Sequence, residues 1–361
     1  MSEPVLWRTQ PGHASVAPAR HFRSPVAKML SLCSVLSIFA CAALPVQADD
    51  ESKSTITYSI ESPRAVHSLL LGVVHAGKRL VAVGERGHII YSDDEGKNWT
   101  QARVPTRQLL TAVTFVNDKK GWAVGHDAQI LVTQDGGATW TQQLVDIERE
   151  EGAPFLDVAF TDENNGFVVG SYGALFATTD GGQNWEDVSD RLDNPDGYHL
   201  NAIAPIKGDG LFIVGETGCM FRSRDGGQTW ETVKGPYEGS LFGVTGTQTA
   251  NTVLAYGLRG NLFRSTDFGT SWHKVALKSG NRGMDYGLAG GTDLSDGSVV
   301  LVGHGGSVLK STDDGQTFSL VNRSDRLSLS SVTAADDGKL ILVGQAGVQV
   351  AAPTGAELGQ Q

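Results

Sequence analysis

Cysteine is nearly absent from this chain, which has three cysteines among 361 residues. Cys33 and Cys41 lie in an N-terminal leader, so Cys219 has no intrachain disulfide partner once the leader is removed. Cys219 lies in a strand-like run, and we interpret it as a small buried hydrophobic side chain rather than a reactive thiol. The sequence therefore excludes a small domain held together by disulfides.

Common catalytic and cofactor motifs are also missing. The sequence has no zinc-ligand spacing, no phosphate-binding loop, no Gly-x-Ser-x-Gly and no His-Glu-x-x-His. His126 and His304 are candidate metal ligands, but no spacing supplies a third one. We therefore expect no cofactor, no metal and no catalytic residue.

The first 48 residues have the pattern of an export signal. Four basic residues precede a short apolar run, Met29 to Leu44, and Val46-Gln47-Ala48 follows as a small-x-small cleavage signal. We predict a signal peptide over 1–48, cleaved after Ala48, and a periplasmic protein; a lipoprotein signal at Cys41 is the alternative. The remaining chain has 25 basic and 39 acidic residues, a net charge of −14. That charge opposes nucleic acid and anionic membrane surfaces as general partners.

One pattern, Ser/Thr-x-Asp-x-Gly-x-x-aromatic, is repeated six times, and we call each copy a box. A glycine lies 15 residues before each closing aromatic, and a seventh such glycine has no box after it. The seven glycines are 41, 45, 45, 42, 46 and 41 residues apart, which is the period of four-stranded β-propeller blades. The glycines are Gly84, Gly125, Gly170, Gly215, Gly257, Gly303 and Gly344; the box pairs are Asp94 and Trp99, Asp135 and Trp140, Asp180 and Trp185, Asp225 and Trp230, Asp267 and Trp272, and Asp313 and Phe318.

The repeat predicts an all-β fold, a single seven-bladed propeller over 49–355 with four-stranded antiparallel blades, followed by a tail over 356–361. The seventh unit lacks a box, so we expect the N-terminal strand over 55–60 to supply its outer strand and close the ring. We interpret the box acids as acceptors for amides of their own turns, and we expect the closing aromatics to pack against the next blade. The predicted blades cover approximately 65–104, 107–147, 153–192, 198–235, 239–278, 283–323 and 327–352.

A recognition face is predicted opposite the boxes. In a propeller the second-to-third-strand turns and the links between blades leave one face, whereas the boxes leave the other. The Gly-x-x-Gly turns that start at the seven glycines vary in sequence while the boxes stay constant, as binding loops on a fixed scaffold do. Arginine and tyrosine, both frequent there, are favoured interface residues, and arginine binds carboxylates in a bidentate manner. The candidates are Arg64, Glu85, Arg86, Arg107, His126, Asp127, Tyr172, Tyr198, Glu216, Arg259, Arg282, His304 and Arg326, with His199, Tyr237 and Tyr286 in the same links.

The boxes resemble the Asp-box, or BNR, repeats of the sialidase-like propellers. The composite Val-Gly-x-x-Gly…Ser/Thr-x-Asp-Gly-Gly-x-Thr/Asn-Trp, present at 169–185 and 214–230, resembles the photosystem II stability and assembly factor family. The resemblance covers about 55–355 and implies a seven-bladed propeller in the bacterial periplasm or the thylakoid lumen. It also implies a non-enzymatic assembly factor that binds a membrane-protein client, with an arginine-rich patch in plant and cyanobacterial relatives.

Two other functions stay open at this point. A sialidase-like glycoside hydrolase needs an arginine cluster, an acid and a Tyr–Glu nucleophile pair, but the Arg-Ile-Pro segment typical of sialidases is absent and the loops are short. A carbohydrate-binding propeller is the second alternative. The residues available for the hydrolase are Arg86, Arg259, Arg282, Asp127, Asp285, Tyr172 and Glu216.

Overall fold

The computed structural model describes residues 56–279 and 282–358, without side-chain positions for Lys278, Ser279 and Arg282. The described residues form seven antiparallel sheets and one short hairpin, so the all-β class and the seven blades are confirmed. The innermost strand of each sheet contacts that of the next sheet, and the innermost strands of the first and seventh sheets also touch. The sheets therefore form a closed ring.

Six blades have four strands, ordered from the inside outwards as in the sequence, and the seventh has three among the described residues. The strands are β1 Leu70–Ala76, β2 Arg79–Gly84, β3 Ile89–Ser92 and β4 Thr100–Gln101 in blade 1; β5 Leu110–Phe115, β6 Gly121–Gly125, β7 Gln129–Thr133 and β8 Thr141–Leu144 in blade 2; β9 Phe155–Phe160, β10 Gly166–Gly170, β11 Leu175–Thr178 and β12 Glu186–Asp187 in blade 3; β13 Leu200–Ile206, β14 Gly210–Gly215, β15 Met220–Ser223 and β16 Glu231–Thr232 in blade 4; β17 Leu241–Gly246, β18 Val253–Gly257, β19 Leu262–Ser265 and β20 His273–Lys274 in blade 5; the hairpin β21 Lys278–Ser279 and β22 Arg282–Gly283; β23 Leu288–Asp293, β24 Val299–Gly303, β25 Ser307–Ser311 and β26 Ser319–Asn322 in blade 6; and β27 Leu329–Ala334, β28 Leu340–Gly344 and β29 Gly347–Ala351 in blade 7.

The helical content of the described residues is limited to short 3-10 segments. None of these helices has the length and apolar character that a membrane crossing requires. Five of the segments coincide with Gly-x-x-Gly turns. They are Ala65–His67, Glu85–Gly87, Arg149–Glu151, Ser171–Gly173, Ser189–Arg191, Glu216–Gly218, Leu258–Gly260 and His304–Gly306.

The core lies between neighbouring blades. The second strands, such as β6 and β10, are buried along their whole length because each is covered by a sheet on both sides. The box aromatics pack against the preceding blade, not the next one as predicted: Trp230 meets Phe167 of blade 3, with ring centroids 6.1 Å apart. The reason is that five of the six box turns lie over the second strand of the blade before them, as Gly269 of blade 5 lies over Phe212 of blade 4.

The prediction for ring closure is wrong. Residue 55 lies outside the described residues, and the chain that follows runs along blade 1: the Ser59 amide donates to the Val104 carbonyl (2.9 Å), and Gln101 donates to the Ile60 carbonyl (3.0 Å). The outer edge of β29 meets the chain's own C-terminal turn through an Ala351–Glu357 bridge. Blade 7 instead joins blade 1 by packing of apolar side chains, among them Leu80, Ile341 and Val343.

The seven innermost strands line an axial channel with a cavity of about 240 Å³. Each of these strands has a register irregularity opposite the glycine that ends the second strand, as at Leu70/Gly72 and Leu110/Ala112. Such bulges insert an extra residue and increase the local twist. The same strand irregularity therefore occurs seven times around the channel wall, once for each of the seven turns.

Candidate binding face

The propeller has two faces that differ in their loops. The start of each inner strand pairs with the end of the second strand, as in Leu70 with Gly84, so the Gly-x-x-Gly turns and the links between blades share one face. The boxes lie at the other strand ends, where Ser92 pairs with Leu80. We call these the turn face and the box face.

The box face is held by a repeated hydrogen-bond network. In the fourth box the Ser223 hydroxyl donates to Asp225 (2.8 Å), and both the amide and the hydroxyl of Thr229 donate to the same carboxylate, at 2.9 and 2.6 Å. Hydrogen bonds from Thr229, first from its side chain and then from its amide, lower the pKa of Asp225 to about 2. The network occurs in all six boxes, and the residue before the aromatic, which the pattern left variable, is a full member of it.

The seven anchor glycines are required by close approach, not by a special φ. Neither Gly84 nor Gly125 has a positive φ, but a β-carbon at these positions would overlap the carbonyl oxygens of Leu69 and Leu109, respectively. The following amide donates to that carbonyl, as Glu85 does to Leu69 (2.9 Å). Each inner strand is thereby fixed against its Gly-x-x-Gly turn.

In six of the seven turns the third residue has a left-handed backbone. Arg86, Tyr172, Thr217 and Arg259 have φ of 58°, 56°, 55° and 57° and are exposed, whereas Asp127, with φ of 60°, is half-buried. Non-glycine residues adopt this conformation at a cost. The turn face therefore holds several strained positions that present long or polar side chains.

Four predicted residues, Arg64, Glu85, Arg86 and Arg107, line one cavity of about 520 Å³ on the turn face near blade 1. Arg107 donates from Nε to the Tyr58 carbonyl (2.8 Å), while the guanidinium groups of Arg64 and Arg86 form no hydrogen bond or ion pair with any described residue. Ile60, Glu61 and His67 also line the cavity, and the buried imidazole of His88, whose pKa burial lowers, lies in its wall.

A second cluster unites Tyr172, Glu216 and the link residue His199. The Tyr172 amide donates to Nδ1 of His199 (2.8 Å), and the two rings meet edge to face at 5.0 Å. Glu216 accepts the His199 amide weakly at 3.4 Å. Tyr172 nevertheless stays 57% exposed, so its ring is positioned but not covered.

The remaining candidates lie apart from these clusters. Arg326 reaches the Tyr286 hydroxyl at 3.4 Å, and His304 lies beside the same link. Asp127 accepts from Gln108, and Tyr198 is tied by its amide to Asn194. Arg259 is exposed without a polar partner in the described chain, Tyr237 packs on Phe263, His126 is half-buried, and the Arg282 side chain lies outside the described residues.

Of the residues available for the hydrolase alternative, the structure brings Tyr172 and Glu216 together around His199 but places neither in the lining of the Arg86 cavity. Arg86 lies in blade 1 and Arg259 in blade 5, while Tyr172 and Glu216 lie in blades 3 and 4. The cavity that contains Arg86 includes none of the other three. Within the part of the chain that the structure describes, no group of three or more His, Cys, Asp or Glu is placed to hold a metal.

Asp157 is a residue that sequence reasoning missed. It alone carries a charge among the residues that line the axial channel, where its two oxygens accept the amides of Val158 and Ile203, both at 2.9 Å. Its side chain borders the narrow channel and is half-buried, and burial raises its pKa to about 6. No motif marks it, since it occupies an ordinary strand position.

Cys219 lies half-buried against the cluster between blades 3 and 4. Burial, and then the charge of Glu216, raise its pKa to about 11. A thiol in that state is a poor nucleophile at neutral pH.

A family model described as photosynthesis system II assembly factor YCF48 matches residues 91–155 and 143–283, which together exceed half of the chain. No curated protein matches in sequence. A solved structure of YCF48 bound to D1 peptide is similar to this chain, with a TM-score of 0.62 and 19% sequence identity; the match covers 81% of this chain and 93% of that one. The structure of YCF48 from Cyanidioschyzon merolae has a TM-score of 0.59 and 19% identity, and the match covers 81% of this chain and 97% of that one. A streptogramin B lyase has a TM-score of 0.65 and 11% identity, and the match covers 81% of this chain and 97% of that one. The fold is therefore shared with an enzyme.

Proposed function

The chain belongs to the photosynthesis system II assembly factor YCF48 family, and we propose that it is an exported, non-enzymatic assembly or stability factor that binds a membrane-protein client with its turn face. The relative solved with a D1 peptide supports a protein–protein partner for this chain as well. Photosystem II is the client that the family description suggests.

One observation carries the choice of face. The turn face leaves the guanidinium groups of Arg86 and Arg259 unpaired in the described chain and exposes Tyr172, Leu258 and Tyr286 by 57%, 39% and 43%. Arginine and aromatic side chains are the usual anchors of interfaces. Their concentration on rigid turns supports recognition there.

Client capture tests the proposal. We expect the tagged protein to retain an integral membrane protein from detergent-solubilised membranes of its source, and the Arg86→Glu, Arg259→Glu double variant to lose that protein without a change in melting temperature. The matched control is Lys97→Glu with Lys119→Glu, which makes the same charge change at exposed box-face positions. Equal loss in both variants, or retention in the first, would count against the turn face.

Export belongs to the same proposal. The signal peptide predicted over 1–48 remains a prediction, since 1–55 lie outside the described residues. The blade limits predicted from the repeat also remain predictions. Mass spectrometry of the protein from its source should find an N-terminus at Asp49; a chain that keeps the leader, or one lipidated at Cys41, would refute cleavage after Ala48.

A further inference from the structure

We propose that the axial channel binds a monovalent metal cation of the sodium or potassium class, coordinated by side-chain oxygens of Asp157, Asn201 and Tyr256. These residues belong to blades 3, 4 and 5, which follow one another around the ring. The inference goes beyond the proposed function and does not depend on it, because no arginine of the turn face lines the channel. No motif marks the site, since its oxygens come from different blades, and the sequence therefore predicted no metal.

A negative charge without a partner is the first step of the argument. Asp157 is the only charged residue among the described residues that line the channel, and no Lys, Arg or His shares that wall. Its two oxygens accept the amides of Val158 and Ile203, both at 2.9 Å. A carboxylate has about four acceptor sites, so each oxygen can accept a further ligand. A charge held away from bulk water without a partner costs free energy, which a cation in the channel would offset.

The hydroxyl of Tyr256 is the second oxygen. Tyr256 is 2% exposed and lines the channel, and its hydroxyl forms no hydrogen bond with a described residue. A β-carbon at Gly291, on the innermost strand of blade 6, would lie 2.9 Å from the hydroxyl oxygen, so this glycine leaves the space through which the hydroxyl reaches the channel wall. Burial, and then the charge of Asp157, raise the pKa of Tyr256. The charge on blade 3 therefore acts on the hydroxyl on blade 5.

Asn201 supplies the third oxygen from blade 4. Its Nδ2 donates to the Leu241 carbonyl of blade 5 (2.8 Å), which fixes the amide against the next blade. Its Oδ1 accepts no hydrogen bond from a described residue. Carboxylate, amide and hydroxyl oxygens are ligands of hard cations rather than of soft transition metals. The channel therefore offers such oxygens from three successive blades.

The charge and the size of the channel favour a monovalent ion. One carboxylate neutralises one positive charge, whereas calcium takes about 6–8 oxygen ligands, several of them usually carboxylates. No group of three or more His, Cys, Asp or Glu is placed for a metal in the part of the chain that the structure describes. The cavity of about 240 Å³ is smaller than the sites of drug-sized ligands, which start at about 300 Å³. It has room for an ion that keeps several waters of about 30 Å³ each.

Thermal melts in different chlorides test the cation. The purified protein is melted at pH 8 and equal ionic strength in sodium, potassium or N-methylglucamine chloride; the pKa of Asp157, about 6, leaves the carboxylate ionised there. We expect a melting temperature about 2 °C higher in sodium or potassium chloride than with the bulky organic cation, because an ion that binds only the folded state stabilises it. Equal melting temperatures in the three salts would overturn the inference, as would stabilisation by calcium or magnesium alone.

Matched variants locate the ion. Asp157→Asn should abolish the difference between the salts, and Tyr256→Phe, which removes only a hydroxyl, should reduce it. Asp193→Asn makes the same charge change at an exposed position in the link between blades 3 and 4 and should keep the difference. An equal loss in Asp193→Asn would overturn the assignment to the channel.

A crystal of the unaltered protein grown in rubidium chloride gives a readout that does not require the variants to fold. We expect an anomalous peak in the channel beside the carboxylate of Asp157. A channel that holds only water in that crystal would overturn the inference, and client capture by the turn face would stand unaffected.

Discussion

The two faces of this propeller are built from the same repeats but use their polar side chains in opposite ways. On the box face each Asp is saturated by donors from its own turn, and basic side chains such as Arg264 are paired with acids such as Asp314 (2.5 Å). On the turn face Arg86 and Arg259 have no acid within ion-pair distance in the described chain. The box face therefore uses its polar groups within the fold, whereas the two arginines of the turn face keep donors that the proposed client could use.

The largest effect on stability is expected from a box aromatic. Trp140 is 4% exposed and packs on Val81 of blade 1, so Trp140→Ala should lower the free energy of unfolding by about 3–5 kcal/mol. Tyr172→Ala on the turn face should leave it nearly unchanged while client capture falls. Urea unfolding of both variants measures the two losses in the free energy of unfolding. Equal losses would contradict the difference between the faces.

Low pH should destabilise the box face first. The box acids have pKa values below the ordinary value, for example about 2 for Asp94 and Asp225, so their stabilisation is complete above about pH 4 and is lost as the pH falls towards 2. We expect the melting temperature to drop across that interval, and to drop less in Asp225→Asn. A melting temperature that is constant down to pH 2 contradicts the network.

The contribution of the axial channel to stability should change with pH in the opposite direction. Because the pKa of Asp157 is raised to about 6, the folded state takes up a proton before the unfolded chain does, and this group adds stability as the pH falls from about 6 to about 4. Unfolding free energies measured at pH 5 and pH 7 should differ in this direction in the wild type. The same slope in Asp157→Asn would assign it to another group.

The smallest stability effect is expected from the unpaired arginines. Arg86→Gln and Arg259→Gln remove no hydrogen bond or ion pair within the described chain, so each should change the free energy of unfolding by less than about 0.5 kcal/mol. Thermal melts at two salt concentrations measure this. A large loss would mean that these side chains brace the fold, and the contrast between the faces would weaken.

Much of the fold could be predicted because its determinants are local and repeated. The spacing of Gly84 and its six equivalents fixes the blade count, and the Asp and Ser/Thr of each box are neighbours in sequence as well as in space. Ring closure could not be predicted in this way. The pattern over 55–60 indicates an extended segment but does not say which sheet edge it joins, and the bonds of Gln101 and Val104 decide that.

The grouping of the candidate site residues could not be predicted from local sequence patterns either. Arg64, Arg86 and Arg107 come from an N-terminal segment, a turn and a link between blades, and only the ring geometry brings them to one cavity. Arg259 belongs to the same residue class and turn position but lies alone. Residue type and loop position therefore predict on which side of the propeller these residues lie, whereas their grouping on that side needed coordinates; recognition by that face stays a prediction.

Site-specific photo-crosslinking tests the division between the faces most directly. A photoreactive amino acid would be placed at Tyr172 and Leu258 on the turn face, and at the exposed box residues Gln228 and Gln316 on the other. We predict that the same membrane protein is captured from both turn-face positions and from neither box-face position. Capture of that protein from Gln228 or Gln316, with none from Tyr172 or Leu258, would contradict the account.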